Sequence, residues 1–237
     1  MHINKVELLH EKYPTRDYYP FNLDLLQKTS IVEFISPITF FIGENGTGKS
    51  TLLRSIAERT FIHIWESPTV RRVTPNPYER QLAGAVKITW ADGRVTGSYF
   101  GSQVFNHFVS IVEEWAAADP AVLDYLGGRS LLTLSHGQSM IAFFKSRYHL
   151  KGLYLLDEPE TALSPKSQLE LMQVLTQASR GGQVQFIIAT HSPILLATPG
   201  ATIYSFDQAP IQTIRYEDTE YFRFYKDFLN DREKYLC

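Results

Sequence analysis

The chain has 237 residues, enough for one α/β domain, or two closely joined lobes, with a core that needs no disulfide. Its 44% hydrophobic and 20% charged residues are typical of a globular protein and exclude a disordered or fibrous one. The formal net charge of −2 gives no broad attraction to phosphate backbones, so nucleic acid binding is neither implied nor ruled out.

The cysteine content and the first residues indicate the compartment. Cys237 is the only cysteine, so neither an intrachain disulfide nor a cysteine-based metal site can form, and a reducing compartment fits best. Charged residues interrupt the first 14 positions, where a signal peptide needs an apolar run. No segment approaches the roughly 18 apolar residues of a membrane span. We therefore expect a cytoplasmic protein without direct membrane insertion, in which any membrane role requires a partner.

Short β-rich segments dominate the first hundred residues. They lie at residues 31–34, 38–42, 85–90 and 94–100. The second segment ends in a glycine-rich turn, after which a helix is expected at residues 50–59. Three prolines then mark a loop: Pro68, Pro75 and Pro77. The third and fourth segments flank Asp92-Gly93, a turn sequence that predicts an antiparallel hairpin.

The second half of the chain predicts a helical stretch followed by a return to alternating strands and helices. Residues 105–150 are mostly helical in pattern, with a break at Gly127-Gly128. The apolar runs at 153–156 and 184–189 are typical of parallel strands covered on both faces, and residues 165–180 suit a crossover helix. A closing pair of strands is expected at 201–206 and 211–216, and a last helix at 219–230. One aromatic stripe of that helix is predicted to pack in the core: Tyr221, Phe224, Tyr225 and Phe228.

A phosphate-binding loop is predicted directly after the second strand. The segment matches G-x-x-x-x-G-K-S and consists of Gly43, Glu44, Asn45, Gly46, Thr47, Gly48, Lys49 and Ser50, with Thr51 next in the same site. The glycines allow backbone N–H groups to surround phosphate oxygens, and the helix N-terminus adds positive potential. We expect Lys49 to reach the β and γ phosphates of ATP and the Ser50 hydroxyl to coordinate Mg²⁺. The alternative is a glycine-rich turn with a surface lysine.

Two acids end the buried strand at 153–156. Asp157 and Glu158 stand where an open α/β sheet binds its ligands, at the carboxyl end of a strand. Their pairing with a phosphate-binding loop suggests a division of roles. Asp157 holds the magnesium shell, while Glu158 orients and deprotonates the attacking water. The alternative is a solvated acidic turn.

A third motif, Leu134-Ser135-His136-Gly137-Gln138, precedes a helix, and with the other two it resembles the ATP-binding-cassette (ABC) ATPases. Their signature is L-S-G-G-Q, from which this chain departs at His136. The resemblance spans residues 38–193. It implies one ABC-type P-loop domain over 1–237, with a mostly parallel core sheet, an antiparallel β piece and a helical lobe. The nucleotide-binding lobe would comprise 1–102 and 151–237, and the helical lobe 103–150.

The resemblance also implies how the site is completed. In this family the signature residues contact the γ-phosphate held by the opposite subunit, and Ser135, Gly137 and Gln138 are expected to do the same in a homodimer formed on ATP binding. His191, in Ala189-Thr190-His191-Ser192-Pro193, stands where the family has its switch histidine, which contacts the γ-phosphate. An ordinary helix-capping histidine is the alternative.

Several assignments stay open between alternatives. The family's lid glutamine, a magnesium contact, is predicted to be Gln103, with Gln81 as the rival. An aromatic residue stacked on adenine would be one of three candidates: Tyr18, Tyr19 or Phe21. A basic group in the proline-rich loop could face nucleic acid, although a solvated loop is the simpler interpretation: Arg71, Arg72 and Arg80.

The branch of the family decides the biological role. Transporter members read D-E-P-T-S-A-L-D after the second motif, whereas this chain has Glu160 in the fourth position and Ser164 in the last. This sequence resembles the corresponding segment of stand-alone ATPases related to recombination and chromosome-maintenance proteins. Our first hypothesis is therefore an ATPase switch for an unknown protein partner, in DNA metabolism or defence. The second is the nucleotide-binding subunit of an ABC membrane transporter, and the third is a nucleotide-binding scaffold that barely hydrolyses ATP.

Overall fold

The computed structural model describes residues 1–65, 76–101, 104–119 and 135–236. The predictions for Gln103, Arg71 and Arg72 lie outside these ranges, as do Leu134 and the Gly127-Gly128 break. The strands are β1 (Ile3–Leu8), β2 (Ile31–Glu33), β3 (Ile38–Ile42), β4 (His63–Trp65), β5 (Val86–Trp90), β6 (Gly97–Phe100), β7 (Gly152–Asp157), β8 (Val184–Ala189), β9 (Thr202–Ser205) and β10 (Gln212–Thr213).

The helices alternate with these strands along the chain. They are α1 (Asp24–Lys28), α2 (Lys49–Thr60), α3 (Phe105–Ala118), α4 (His136–Arg147), α5 (Pro165–Ser179), α6 (Pro193–Leu196) and α7 (Glu220–Asn230). Short 3-10 turns include Gln81–Ala85, Pro159–Ala162 and Arg232–Tyr235. Within the ranges given above, no helix combines the length and apolar composition that crossing a bilayer requires.

The large sheet confirms the predicted α/β fold. Its strand order is β10-β9-β3-β8-β7-β6-β4, and every neighbouring pair is parallel except β9 with β10. The predicted strands at 153–156 and 184–189 lie side by side as β7 and β8, with α5 as the crossover. All six residues of each strand are buried, because helices cover both faces of the sheet.

The antiparallel piece is present, but the predicted hairpin is wrong. β5 pairs with β1 in a second sheet of order β2-β1-β5, whereas β6 enters the large sheet between β4 and β7. The Asp92-Gly93 turn therefore passes the chain from one sheet to the other. β1 was not predicted from the sequence, although its residues alternate between buried and more exposed positions.

The close approach of β6 to β7 explains why β6 leaves its predicted partner. A Cβ atom at Gly97 would lie 1.9 Å from the carbonyl oxygen of Leu153, so only glycine fits at this pairing. Further along the strand, Tyr99 and Phe100 are buried. These contacts favour the large sheet over the hairpin that the local turn sequence suggested.

Helix α2 lies between the two sheets and positions the phosphate-binding loop. Its apolar residues Leu52, Leu53 and Ile56 are completely buried in a cluster that includes residues of β1 and of the large sheet. The opposite face of the large sheet forms a second cluster with α4 and α5. The start of α2 is therefore held between two packed layers, at the carboxyl end of β3.

The aromatic stripe of the last helix does not pack in the core as predicted. No residue of α7 is buried, and Leu229 is 77% exposed. Phe224 and Phe228 stack on each other and contact Tyr235 rather than the sheet. The amphipathic pattern of this helix therefore does not correspond to burial. The exception is Tyr221, half-buried at the first turn, which contacts the candidate site.

Candidate functional site

Three neighbouring parallel strands end at one place and bring the main sequence motifs together. Gly43 follows β3, Asp157 is the last residue of β7, and His191 lies two residues after β8, which runs between the other two strands. Backbone hydrogen bonds join these ends: Glu158 N–H donates to the Ala189 carbonyl at 2.8 Å. The carboxyl edge of an open parallel sheet is where α/β proteins bind ligands.

The phosphate-binding loop has the backbone conformation that its glycines allow. Gly48 has φ of +100° at the N-cap of α2, and a Cβ there would lie 2.8 Å from a methyl carbon of Leu23. At the start of the loop, the Asp207 carboxylate accepts the Glu44 N–H at 2.8 Å. Asp207 follows β9 and was not singled out from the sequence. The loop therefore contacts Asp207 at its start and Leu23 at its end, and it leads directly into the N-terminus of a 12-residue helix.

Lys49 turns back into the loop that precedes it. Its Nζ donates to the carbonyl oxygens of Gly43 at 2.5 Å and Glu44 at 2.8 Å. Burial lowers the pKa of Lys49, while the carboxylates of Glu158 and Asp157 act in the opposite direction. This ammonium is almost completely buried and surrounded by acids, so a phosphate group would supply it with a strong charge-assisted partner.

Asp157 is held by two hydroxyl groups. Ser50 Oγ donates to its Oδ1 at 2.9 Å, and Tyr99 Oη donates to its Oδ2 at 3.1 Å. Burial raises the pKa of Asp157 to about 6, and the hydrogen bond from Ser50 opposes that rise. Tyr99 on β6 was not predicted as a site residue, because no local pattern distinguishes it from other strand aromatics. It orients a potential metal ligand from behind.

The residues present fit a magnesium ion. Among the described residues, no group of three or more His, Cys, Asp or Glu could form a metal cage. Ser50 Oγ and Asp157 Oδ1 are hard oxygen ligands that already lie within 2.9 Å of each other. Mg²⁺ is bound in many phosphate sites by one or two protein oxygens, with phosphate oxygens and water completing the shell. This pair therefore suits an ion that arrives with a nucleotide.

Glu158 combines an unusual backbone conformation with a partly accessible side chain. Its φ of 50° and ψ of 53° are left-handed values, rare for a residue with a side chain. Its Oε1 lies 3.4 Å from Nε2 of His191, and the carboxylate remains partly accessible. Glu158 is therefore accessible to a group in the site, whereas Asp157 is buried.

His191 is held by two residues that the sequence analysis did not assign to the site. Its backbone N–H donates to Glu160 Oε1 at 2.5 Å, and its Nδ1 lies 2.5 Å from the hydroxyl of Tyr221. Burial lowers the pKa of His191 and Lys49 lowers it further, whereas Glu158 acts in the opposite direction. Glu160 differs from the residue at this position of the transporter motif, and this difference could have indicated its contact with His191. Tyr221 had no such signal, since it belongs to the stripe predicted to be core.

The signature segment forms the start of α4. Ser135 is the N-cap, and it exchanges hydrogen bonds with Gln138 in a capping box. Both side chains are exposed. A Cβ at Gly137 would lie 3.2 Å from the Ala162 carbonyl oxygen, so this glycine permits close packing of α4 on the turn after Glu158. Ser135 has no hydrogen bond to the phosphate-binding loop within the described part of this chain.

The remaining candidates are placed as follows. Phe21 is completely buried and therefore inaccessible to adenine, whereas Tyr18 is exposed beside Tyr78. The Tyr19 hydroxyl is hydrogen-bonded to the Thr51 side chain on α2, next to the loop. Gln81 donates to the Pro77 carbonyl at 2.9 Å, which gives it a local structural role.

Comparison with known proteins supports the family resemblance of the motifs. A family described as "AAA domain, putative AbiEii toxin, Type IV TA system" matches residues 125–197. The "Probable siderophore transport system ATP-binding protein YusV" of Bacillus subtilis is 26% identical over 168 residues, covering 65% of this chain and 61% of its own. The "Phosphate import ATP-binding protein PstB 2" of Streptococcus pneumoniae serotype 4 is 31% identical over 179 residues, covering 65% of each. Together with the motifs, these matches support an ABC-class P-loop ATPase.

The fold of this ABC-class ATPase agrees with the assignment. The structure of cbiO1 from Clostridium perfringens, described as part of the ABC transporter complex cbiONQ, superposes with a TM-score of 0.52 at 18% identity. The superposition covers 99% of this chain and 98% of that one. In the two sequence matches above, the chain spans less than two thirds of the length of each relative. The fold is therefore shared, while the substrates and partners in those names belong to the relatives.

Proposed function

We propose that this ABC-class ATPase binds Mg-ATP at the carboxyl edge of its large sheet and hydrolyses it there. The observation that carries the proposal is the convergence of a buried ammonium, a Ser-Asp oxygen pair and a partly accessible acid at the carboxyl ends of β3 and β7. Lys49 supplies the ammonium, Ser50 and Asp157 the pair, and Glu158 the acid. These are the elements needed for phosphate binding, metal binding and activation of water.

Each side chain has a distinct role in the proposed reaction. When bound, Mg²⁺ neutralises developing charge on the phosphate oxygens. Lys49 exchanges its two carbonyl acceptors for the β and γ phosphates. Ser50 and Asp157 hold the ion, with Asp157 oriented by Tyr99. Glu158 positions the water and accepts its proton as the water attacks the γ-phosphorus.

The same proposal includes a second copy of the chain. Ser135 and the N-terminus of α4 are exposed, and within the described residues they make no hydrogen bond to the phosphate-binding loop of their own chain. A hydroxyl and a helix N-terminus are suited to contact a phosphate from outside. In a homodimer held together by ATP, Ser135, Gly137 and Gln138 of each copy would complete the phosphate cage of the other.

ATP-dependent dimerisation tests this arrangement. In Glu158→Gln, ATP should still bind but remain uncleaved, so light scattering should show a dimer with Mg-ATP and a monomer without it. Adding Ser135→Arg places a large cation at the proposed contact and should restore the monomer. Lys145→Ala in the same background changes an exposed residue near the end of α4 and should leave the dimer intact. A Glu158→Gln protein that stays monomeric under saturating Mg-ATP would rule out the ATP-bridged dimer.

For the biological role, the comparisons favour a transporter subunit over a stand-alone switch. The two relatives described above carry transport names, and the cbiO1 structure is described as part of a transporter complex. We therefore propose that this chain energises a membrane transporter by docking on a membrane-embedded partner. Ser164, in place of the aspartate of the transporter wording, instead favours the switch hypothesis.

One purification distinguishes the two roles. Glu158→Gln should be captured with Mg-ATP from detergent-solubilised membranes of its own organism, beside a Lys49→Ala control whose ATP binding should be much weaker. Co-purification of a membrane-spanning protein only with the ATP-bound variant supports the transporter role. Stimulation of wild-type ATP hydrolysis by DNA, without such a partner, supports the switch.

A further inference from the structure

The first turn of α7 reaches the candidate site through one hydroxyl group. Tyr221 Oη lies 2.5 Å from Nδ1 of His191 and 3.1 Å from the carbonyl oxygen of Gly43. The two aromatic rings meet edge to face, with centroids 5.3 Å apart. A single side chain therefore touches both the histidine after β8 and the first residue of the phosphate-binding loop, from a helix that has no fully buried residue.

The two hydrogen bonds can coexist in only one arrangement of protons. The Gly43 carbonyl is an acceptor, so the Tyr221 hydroxyl must donate its one proton to it. The hydroxyl can then only accept from His191, which places a proton on Nδ1. Burial raises the pKa of Tyr221, so its hydroxyl keeps that proton. The alternative, in which Tyr221 donates to Nδ1, would leave the Gly43 contact without a proton.

We propose that Tyr221 is a positioning residue that holds His191 in the Nδ1–H tautomer and turns its Nε2 toward Glu158. Among the described residues, Nε2 is buried and has no hydrogen-bond partner, although Glu158 Oε1 lies only 3.4 Å away. The tautomer is consistent with that missing hydrogen bond, because neutral Nε2 and the carboxylate are then both acceptors. Nε2 is thus free to meet a group that enters the site between Glu158 and the loop.

The position of Tyr221 also couples the histidine to the phosphate-binding loop. The Gly43 carbonyl accepts from both Tyr221 and Lys49 in the structure. When Lys49 leaves the Gly43 carbonyl to bind phosphate, Tyr221 still donates to that carbonyl. It therefore keeps His191 at a fixed distance from the loop. The hydroxyl therefore acts through His191 and the backbone, without touching the nucleotide. Any effect of Tyr221 on the rate of ATP hydrolysis rests on the proposed function. The assignment of the His191 tautomer does not.

The tautomer can be measured in the nucleotide-free protein. In protein with ¹⁵N-labelled histidine at about pH 8, above the ordinary histidine pKa, the two ring nitrogens have distinct shifts when protonated or unprotonated. The His191 signals are identified by their loss in His191→Gln. We expect a protonated Nδ1 in the wild type and a shift toward protonated Nε2 in Tyr221→Phe, which keeps the ring. Tyr225→Phe, on the exposed side of α7, should match the wild type.

Steady-state kinetics supplies the second measurement. Tyr221→Phe should lower kcat about fivefold, the equivalent of one hydrogen bond, and leave KM for ATP nearly unchanged, while Tyr225→Phe keeps the wild-type rate. A protonated Nε2 in the wild type, or an unaltered tautomer in Tyr221→Phe, overturns the assignment of the hydrogen bonds. An unaltered kcat in Tyr221→Phe overturns the positioning role. Absence of ATP hydrolysis in the wild type would instead refute the proposed function, and the tautomer result would stand apart from it.

Discussion

Replacement of Asp157 by asparagine is expected to stabilise the nucleotide-free protein at neutral pH while abolishing its activity. Burial raises the pKa of this carboxyl from 3.8 to about 6. The native state therefore binds the proton more tightly than the unfolded state, and the stability that this proton contributes is lost as pH rises through about 6. A difference of about 2 units between the pKa of Asp157 in the folded and unfolded states corresponds to about 3 kcal/mol in the free energy of unfolding. About 1.5 kcal/mol of this stability is lost between pH 5 and pH 8.

Asparagine removes the buried charge and keeps the shape of the side chain. One of the two hydroxyls, from Ser50 or Tyr99, can donate to its oxygen, and the other can accept from its N–H. The second N–H is left over, and burying an unpaired donor costs about 1–2 kcal/mol. Asp157→Asn should therefore raise the free energy of unfolding by about 1–2 kcal/mol at pH 8. The gain should shrink by about 1.5 kcal/mol at pH 5.

Urea unfolding at the two pH values measures this difference, with ATP hydrolysis assayed in parallel. The control is Asp92→Asn, which makes the same change at an exposed turn where asparagine is equally suitable and should alter neither stability nor its pH dependence. If Asp157→Asn shows the same change in unfolding free energy at pH 5 and pH 8, the carboxyl does not carry the buried charge inferred here.

Two further changes separate binding from folding. Lys49→Ala should weaken ATP binding about 10- to 100-fold in calorimetry, because the charge-assisted phosphate contacts are lost, and it should leave the urea midpoint nearly unchanged. Lys28→Ala, at an exposed ion pair, is its control, and wild-type affinity in Lys49→Ala would contradict the loop assignment. Gly97→Ala should destabilise the protein by about 3 kcal/mol or more, since its Cβ would collide with the Leu153 carbonyl. Gly181→Ala, with open space around its Cβ, should cost far less, and equal urea midpoints for the two variants would refute the packing argument.

The parts of the fold that local sequence encodes were predicted well. β3, the glycine-rich loop and α2 follow one another in the chain, so their pattern is visible without knowledge of any distant contact. The apolar runs of β7 and β8 likewise indicated strands covered on both faces. Because parallel strands end at the same edge, the sequence placed Lys49, Asp157 and His191 at one edge, but the strand order that makes them neighbours came only from the structure.

The errors arose where tertiary contacts override a local pattern. Asp92-Gly93 has the sequence of a hairpin turn, yet Gly97 fits only against Leu153, so the strands on either side enter different sheets. Amphipathic periodicity predicted burial for α7, whereas no residue of that helix is buried. Periodicity shows that a face is apolar, but the sequence does not show whether another element lies near enough to cover it.

The supporting residues of the site were invisible for a related reason. Tyr221 is 30 positions from His191 and 178 from Gly43, and Tyr99 is 58 positions from Asp157. A tyrosine in a strand or helix has no sequence signature that marks its hydroxyl as functional. Only the folded chain shows that these hydroxyls orient the residues that the motifs identify.

The rate of ATP hydrolysis by Glu158→Gln tests the central claim most directly. Glutamine keeps the size of the side chain but cannot accept the proton of the attacking water, so kcat should fall about 10²- to 10⁴-fold. ATP affinity, measured in the same preparation, should remain within a few-fold of the wild type, because Lys49, Ser50 and Asp157 are unchanged. Glu217→Gln, at an exposed acid outside the site, should hydrolyse ATP at the wild-type rate. A Glu158→Gln enzyme that turns over ATP as fast as the wild type would contradict the account.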